Sequence, residues 1–146
     1  MTWLACLDFE TTGLVDPDPV SVAVVRAERG RLPVVLLSTK IKPRKPIEPK
    51  AMEIHGITEE AVRTAAPWPE AAGEIIDALD GCSAIVCHNS PYDVPILLEG
   101  ARLTGRTLPT RNILCTLVMA RAAYWGMAGR PPKLTLVQIA ERLHLP

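Results

Sequence analysis

A chain of 146 residues has the length of one ordinary domain, and folding at that size buries roughly two thirds of the surface an extended chain exposes. With 48% apolar and 22% charged residues it sits near the globular average, which excludes wholesale disorder and a coiled coil, and no apolar run approaches the roughly 18 residues of a membrane span. Sixteen bases against sixteen acids exclude bulk polycation behaviour, yet Asp8, Glu10, Asp16 and Asp18 are the only charges before Arg26, while Glu141 is the only acid after residue 100.

Residues 3 to 9 (WLACLDF) form an apolar run too short for a core helix and closed by Thr11-Thr12-Gly13, which predicts a buried strand ending in a turn. With no basic flank before it, the N-terminus reads neither as a signal peptide nor as a transit peptide, and a cytoplasmic protein is expected. Residues 20 to 28 and 32 to 41, rich in Val, Ile and Leu about Arg29-Gly30-Arg31, predict a hairpin. Pro43, Pro46 and Pro49 then forbid regular structure, and the basic run Lys40, Lys42, Arg44, Lys45 and Lys50 reads first as a solvated loop and second as a phosphate contact.

Beyond the prolines the pattern turns helical. Thr58 with Glu60 and Ala61-Val62 suits a short helix, and residues 69 to 80 place Ala72, Ile75, Ile76 and Leu79 on one face before Gly81. Residues 83 to 87 read as a buried strand, followed by a helical stretch to about Thr104 and by helices over 114 to 124 and 134 to 143. Strands first, then alternating helix and strand, argue for one α/β layered domain with a mixed sheet. Cys6, Cys82, Cys87 and Cys115 are scattered without zinc spacing, so reduced and mostly buried thiols are expected.

In a strand, residues two apart project from one face, so Asp8 and Glu10 point together from the end of the first strand. Like charges this close repel unless a cation, a positive side chain or bound protons neutralise them. Mg²⁺ or Mn²⁺, hard cations that take oxygen ligands, are the natural partners, the bland alternative being a solvated turn with two unrelated acids. Asp93 offers a third oxygen donor if the strand before it lies beside the first; equally, it is an acid complementing a helix dipole.

Taken together, Asp8-Phe9-Glu10-Thr11-Thr12-Gly13, His55-Gly56-Ile57-Thr58, His88-Asn89-Ser90-Pro91-Tyr92-Asp93, Cys115-Thr116-Leu117 and Lys133-Leu134 resemble the DEDD family of 3′-to-5′ exonucleases, in its DnaQ-like proofreading-subunit and ribonuclease T branch. The resemblance runs in order over residues 3 to 145. It implies a ribonuclease H-like fold with a mixed five-stranded sheet and flanking helices, and hydrolysis of terminal phosphodiester bonds of DNA or RNA by two Mg²⁺ or Mn²⁺ ions. By motif match Asp8 bridges both metals, Glu10 serves the one that activates water, and Asp93 helps to hold the second. Thr12, Gly13, Leu14, His55, Ile57 and Asn89 would border the terminal nucleotide, with Leu14 and Ile57 as apolar wedges and Thr12 offering its hydroxyl or N–H to the sugar. Without the family, His55 is a loop histidine and Asn89 a turn residue.

The family's last motif, H-x-A-x-x-D or a tyrosine-containing counterpart, finds no match: His144 is followed only by Leu145-Pro146. The expectation is a C-terminally incomplete exonuclease domain without its terminal helix, general base and fourth carboxylate, slow on its own and inclined to self-association through exposed apolar sheet. Expected partners are a single-stranded 3′ end and a DNA polymerase, with no membrane. The alternatives are a noncatalytic nucleic-acid-binding or polymerase-associated module of the same fold, and an endonuclease sharing sheet and metals.

Overall fold

A computed structural model of the chain describes residues 2–123 and 134–144. Lys133, Tyr124 at the end of the expected helix 114 to 124, and Leu145-Pro146 lie outside the described residues. Three strands open the fold, β1 (Leu4–Thr11), β2 (Pro19–Ala27) and β3 (Val34–Lys42), followed by helices α1 (Pro49–His55) and α2 (Glu59–Val62). Then come β4 (Ala66–Pro67), α3 (Trp68–Ala78), β5 (Ala84–Cys87), α4 (Ser90–Thr104), β6 (Ile113–Cys115), α5 (Thr116–Ala123) and α6 (Leu136–Arg142).

The sheet has six strands in the order β4-β3-β2-β1-β5-β6. β1 and β2, and β2 and β3, pair antiparallel as the hairpin pattern predicts, whereas β5 runs parallel to β1 with Leu4 opposite Ala84 and Cys6 opposite Val86. Six strands replace the expected five. β4 is a two-residue pairing against Ile41 and Lys42, too short to carry any alternation. β6 pairs parallel with β5 over Ile113–Cys115, where the sequence predicts the start of a helix. Three apolar residues running into Leu117-Val118 look like the first turn of an amphipathic helix, and only the partner strand tells them apart.

The prolines misled in one place. Pro49 does not break structure but opens α1, where the first helical position needs no N–H donor. The charge loop is likewise not free: Asp18, 2% exposed, is clamped by Arg44 through Nη2 to Oδ1 at 2.6 Å and backbone N to Oδ2 at 2.7 Å, and Lys45 pairs with Asp16. Burial alone would raise the Asp18 carboxyl, but the hydrogen bonds and charge of Arg44 hold it below its ordinary value.

The core lies on one face of the sheet. Ala5, Leu7 and Phe9 alternate inward from β1 and meet Trp68, Ala72, Ile75 and Leu79 of the α3 segment and Ile96 and Leu97 of α4. Each such fully buried large side chain contributes about 1.5–3 kcal/mol relative to exposure. Phe9 meets Trp68 edge to face at 5.9 Å between ring centroids. Because the period of a strand is two, burying Leu7 and Phe9 sends Asp8 and Glu10 to the other, open face.

Candidate active site

β1 pairs regularly with β2 up to Glu10 opposite Ser21, and then slips by one residue, so that Thr11 faces Pro19. Such irregularities re-aim side chains at the end of a strand. On the other side, the β1–β5 register ends at Cys6 opposite Val86, so the N–H of Phe9, further along β1, has no β5 residue to meet. Asp93 fills that place: its Oδ1 accepts from Phe9 N at 3.1 Å, which brings the first turn of α4 onto the end of β1. The fold thus joins Asp8, Glu10 and Asp93 at one sheet edge.

Electrostatics reports the juxtaposition. Partial burial raises the carboxyls of both Asp8 and Glu10, and the neighbouring Asp8 charge raises Glu10 further. Asp93, only 2% exposed, is pushed up to about 6, first by burial and then by the charges of Asp8 and Glu10, against the Phe9 N–H that favours its ionised form. Among the described residues neither Asp8 nor Glu10 has an ion-pair or hydrogen-bond partner for its side chain. No three His, Cys, Asp or Glu side chains among the described residues lie close enough together to hold a metal ion as they stand.

Two concavities meet at Glu10. One, about 300 Å³, is walled by Phe9, Leu14, Ala51 and Ile54, with Glu48, Lys50, Asn89 and Tyr92 as its polar groups. The other, about 590 Å³, crosses the open face of the sheet from Asp8 over Ser21, Ser38 and Thr39 to Lys40, with Ile57 on its wall. Leu14 and Ile57 therefore do not flank one slot but stand in different grooves, Leu14 being 78% exposed. Gly13 lines the apolar cleft beneath the Glu48 carboxylate, whose Oε1 would lie 2.2 Å from any Cβ added there.

The remaining expected residues build the walls. Thr12 uses its N–H on the Asp18 carbonyl at 2.9 Å and its hydroxyl to accept from Asp18 N at 3.0 Å, so both groups offered for a sugar are engaged inside the chain. His55 Nδ1 accepts from Ile57 N at 3.0 Å, which leaves the proton on Nε2, 3.2 Å from the Thr11 carbonyl that it meets as donor. That tautomer makes His55 a brace between α1 and β1. Asn89 holds the left-handed conformation (φ 65°) at the start of α4 and lines the apolar cleft.

Sequence reasoning gave no role to Tyr92 or Glu48. The Tyr92 hydroxyl donates to the Gly13 carbonyl at 2.6 Å and stands 2.5 Å from Thr11 Oγ1, pinning the β1 turn to α4. The Glu48 N–H donates to the Thr12 carbonyl at 2.8 Å, which seats its carboxylate over Gly13. Tyr92 stood inside a quoted motif, one residue before Asp93, and that adjacency was the available signal.

This is the sheet and helix arrangement of a ribonuclease H-like domain. Residues 5–146 match the family described as Exonuclease, and the chain belongs to that family. It is 30% identical over 130 residues to the DNA polymerase III subunit epsilon of Pasteurella multocida, covering 82% of this chain and 51% of that protein. It is 34% identical over 124 residues to exodeoxyribonuclease 10 of Escherichia coli, covering 85% of this chain and 50% of that protein. Among solved structures, exonuclease X in complex with 5′ overhanging duplex DNA superposes with a TM-score of 0.69 at 28% identity, covering 98% of this chain and 74% of that one. The chain spans about half the length of the two curated relatives. No helix among the described residues is long and apolar enough to cross a membrane.

Proposed function

We propose that the chain carries the metal-binding and nucleotide-binding part of a 3′-to-5′ exonuclease, with Asp8, Glu10 and Asp93 holding divalent ions, Mg²⁺ or Mn²⁺, two in the complete site. The observation that carries it is the convergence of Asp8, Glu10 and Asp93, with Glu10 lining an apolar cleft, in a chain of the exonuclease family. The donor set fits such ions: it is all oxygen, and burial followed by the neighbouring acidic charges raises Glu10 and Asp93. When bound, the ions would lower the pKa of a water and neutralise charge building on the phosphorus oxygens.

The residues of the chain do the rest. Leu14 and Ile54, both exposed at the cleft, offer apolar surface on which any terminal base stacks, which suits an activity without sequence preference. Lys50 at the same cleft supplies positive charge to a sugar-phosphate strand. Tyr92 and His55 hold the Thr11–Gly13 turn, so the cleft wall and Glu10 keep a fixed relation. The structure of exonuclease X with duplex DNA and the likeness to a polymerase epsilon subunit support a DNA 3′ end as substrate and a polymerase as partner. A general base and a fourth carboxylate are proposed to come from outside the motifs present here.

The test is terminally labelled single-stranded DNA and RNA incubated with Mn²⁺. Stepwise loss of 3′ nucleotides, abolished by Asp8→Ala, is expected. The lack of a ready three-ligand cluster favours a second reading, a noncatalytic binding module. Retention of the labelled strand without shortening, unchanged by Asp8→Ala, would select it.

A further inference from the structure

On the two strands beyond β1, two thiols share a position in the sheet. Cys87 ends β5 and Cys115 ends β6, and the two are register partners on adjacent parallel strands. Register partners project to the same face, and neighbouring strands stand about 4.8 Å apart, inside the roughly 4.4–6.8 Å between Cα atoms that disulfides span. Cys87 is buried at 2% exposure, while Cys115 lies half-buried at the edge of the sheet. The Cys115 Sγ accepts the N–H of Ser90, the first residue of α4, at 3.5 Å.

We propose that Cys115 is a site of oxidation by hydroperoxides, with Cys87 as its resolving thiol. In the first step the Cys115 thiolate attacks one oxygen of the hydroperoxide. An S–O bond forms, the O–O bond breaks, sulfur is oxidised, and the departing alkoxide or hydroxide takes a proton to leave as alcohol or water. In the second, the Cys87 sulfur attacks Cys115 Sγ; the S–S bond forms, the S–O bond breaks, and hydroxide leaves as water with the proton of Cys87. The division of roles follows from the surroundings. Burial would raise the Cys115 thiol, but the backbone N–H groups of Ser90, Val118 and Asn89 bring it down to about 7, a poised nucleophile. Cys87, by contrast, is buried at 2% exposure, out of reach of the hydroperoxide until Cys115 beside it is activated. Oxidation removes the acceptor of the Ser90 N–H, in the same first turn of α4 that carries Asp93.

Hydrogen peroxide at neutral pH, followed by alkylation of remaining thiols and peptide mapping by mass spectrometry, tests this without any assay of hydrolysis. The expected product is one Cys87–Cys115 disulfide two hydrogens lighter, formed on the order of tenfold faster than oxidation of the buried Cys82. In a Cys87→Ser chain, Cys115 is expected to accumulate as the sulfenic acid and be trapped by dimedone. Cys115→Ser keeps an oxygen acceptor at the start of α5, a position where Ser is favoured, and is expected to fold and to form no disulfide at Cys87. A Cys115 oxidised no faster than Cys82, or one paired with Cys6, would overturn the assignment.

Discussion

At the scale of the single residue, Asp93 joins stability to function. Its carboxyl lies at about 6 in the fold against 3.8 in the unfolded chain, because it is buried beside Asp8 and Glu10. A carboxyl raised by folding holds its proton more tightly in the native state, so its stabilising share is complete below the unfolded value and lost as pH rises through the folded one. Between about pH 4 and pH 6, therefore, the chain sheds stability on this account. Asp93→Asn keeps a carbonyl to accept from Phe9 N and removes the charge. It is expected to gain about 1–3 kcal/mol over the parent at pH 8 in urea unfolding, to match it below about pH 4, and to lose hydrolysis altogether. Coincident unfolding curves at pH 8 would contradict the electrostatic account. His55 makes the opposite case. Its hydrogen bonds to Thr11 and Ile57 brace the cleft, so His55→Ala should cost about 1–2 kcal/mol in urea unfolding and raise KM.

Between elements, the α3–α4 contact sets where Asp93 stands. Gly100 of α4 packs against α3, and an added Cβ would lie 2.8 Å from Trp68 Cζ2 and 2.9 Å from Ala72 Cβ. Gly100→Ala gains about 1 kcal/mol of helix propensity but overpacks a rigid ring at a cost of about 1–3 kcal/mol. A lower thermal midpoint is expected, and a raised one would show that the two helices can slide apart without penalty. How far the elements were legible follows from the same physics. The three leading strands announce themselves as short runs rich in apolar and β-branched residues and α3 through its period of 3.6, while the strand period of two put Asp8 and Glu10 together. β4 and β6 are too short to have a period, and α1 hides behind three prolines, one of which starts it. The Arg44 clamp on Asp18 spans 26 residues and the Tyr92 bond to Gly13 spans 79, contacts that exist only once the chain has folded back. Leu14 and Ile57, expected as wedges from the family resemblance alone, line two grooves that meet at Glu10, a division that no local pattern announces.

For the whole molecule, zero net charge conceals a local excess of anions at the end of β1, which a polyanionic substrate would meet unfavourably. Lys40 and Lys50 stand at the two grooves, but neither pairs with the three carboxylates, and an added divalent cation is the counter-charge the proposed function assigns to them. Mn²⁺ is accordingly expected to stabilise the protein before any substrate is present. At about a hundred times its dissociation constant it should add about 2.7 kcal/mol, or roughly 5–10 °C in thermal midpoint for a chain of this size. Asp8→Ala should abolish most of that rise, whereas a substitution at the distant Arg44–Asp18 clamp should lower the midpoint and leave the Mn²⁺ increment intact. Hydrolysis is a separate quantity. Stepwise trimming of a 3′ end is expected to need both Mn²⁺ and Asp8. Metal stabilisation together with Asp8-dependent trimming would support ions at these carboxylates; no response to Mn²⁺ at any concentration would remove the ions from Asp8, Glu10 and Asp93, and the proposed mechanism with them.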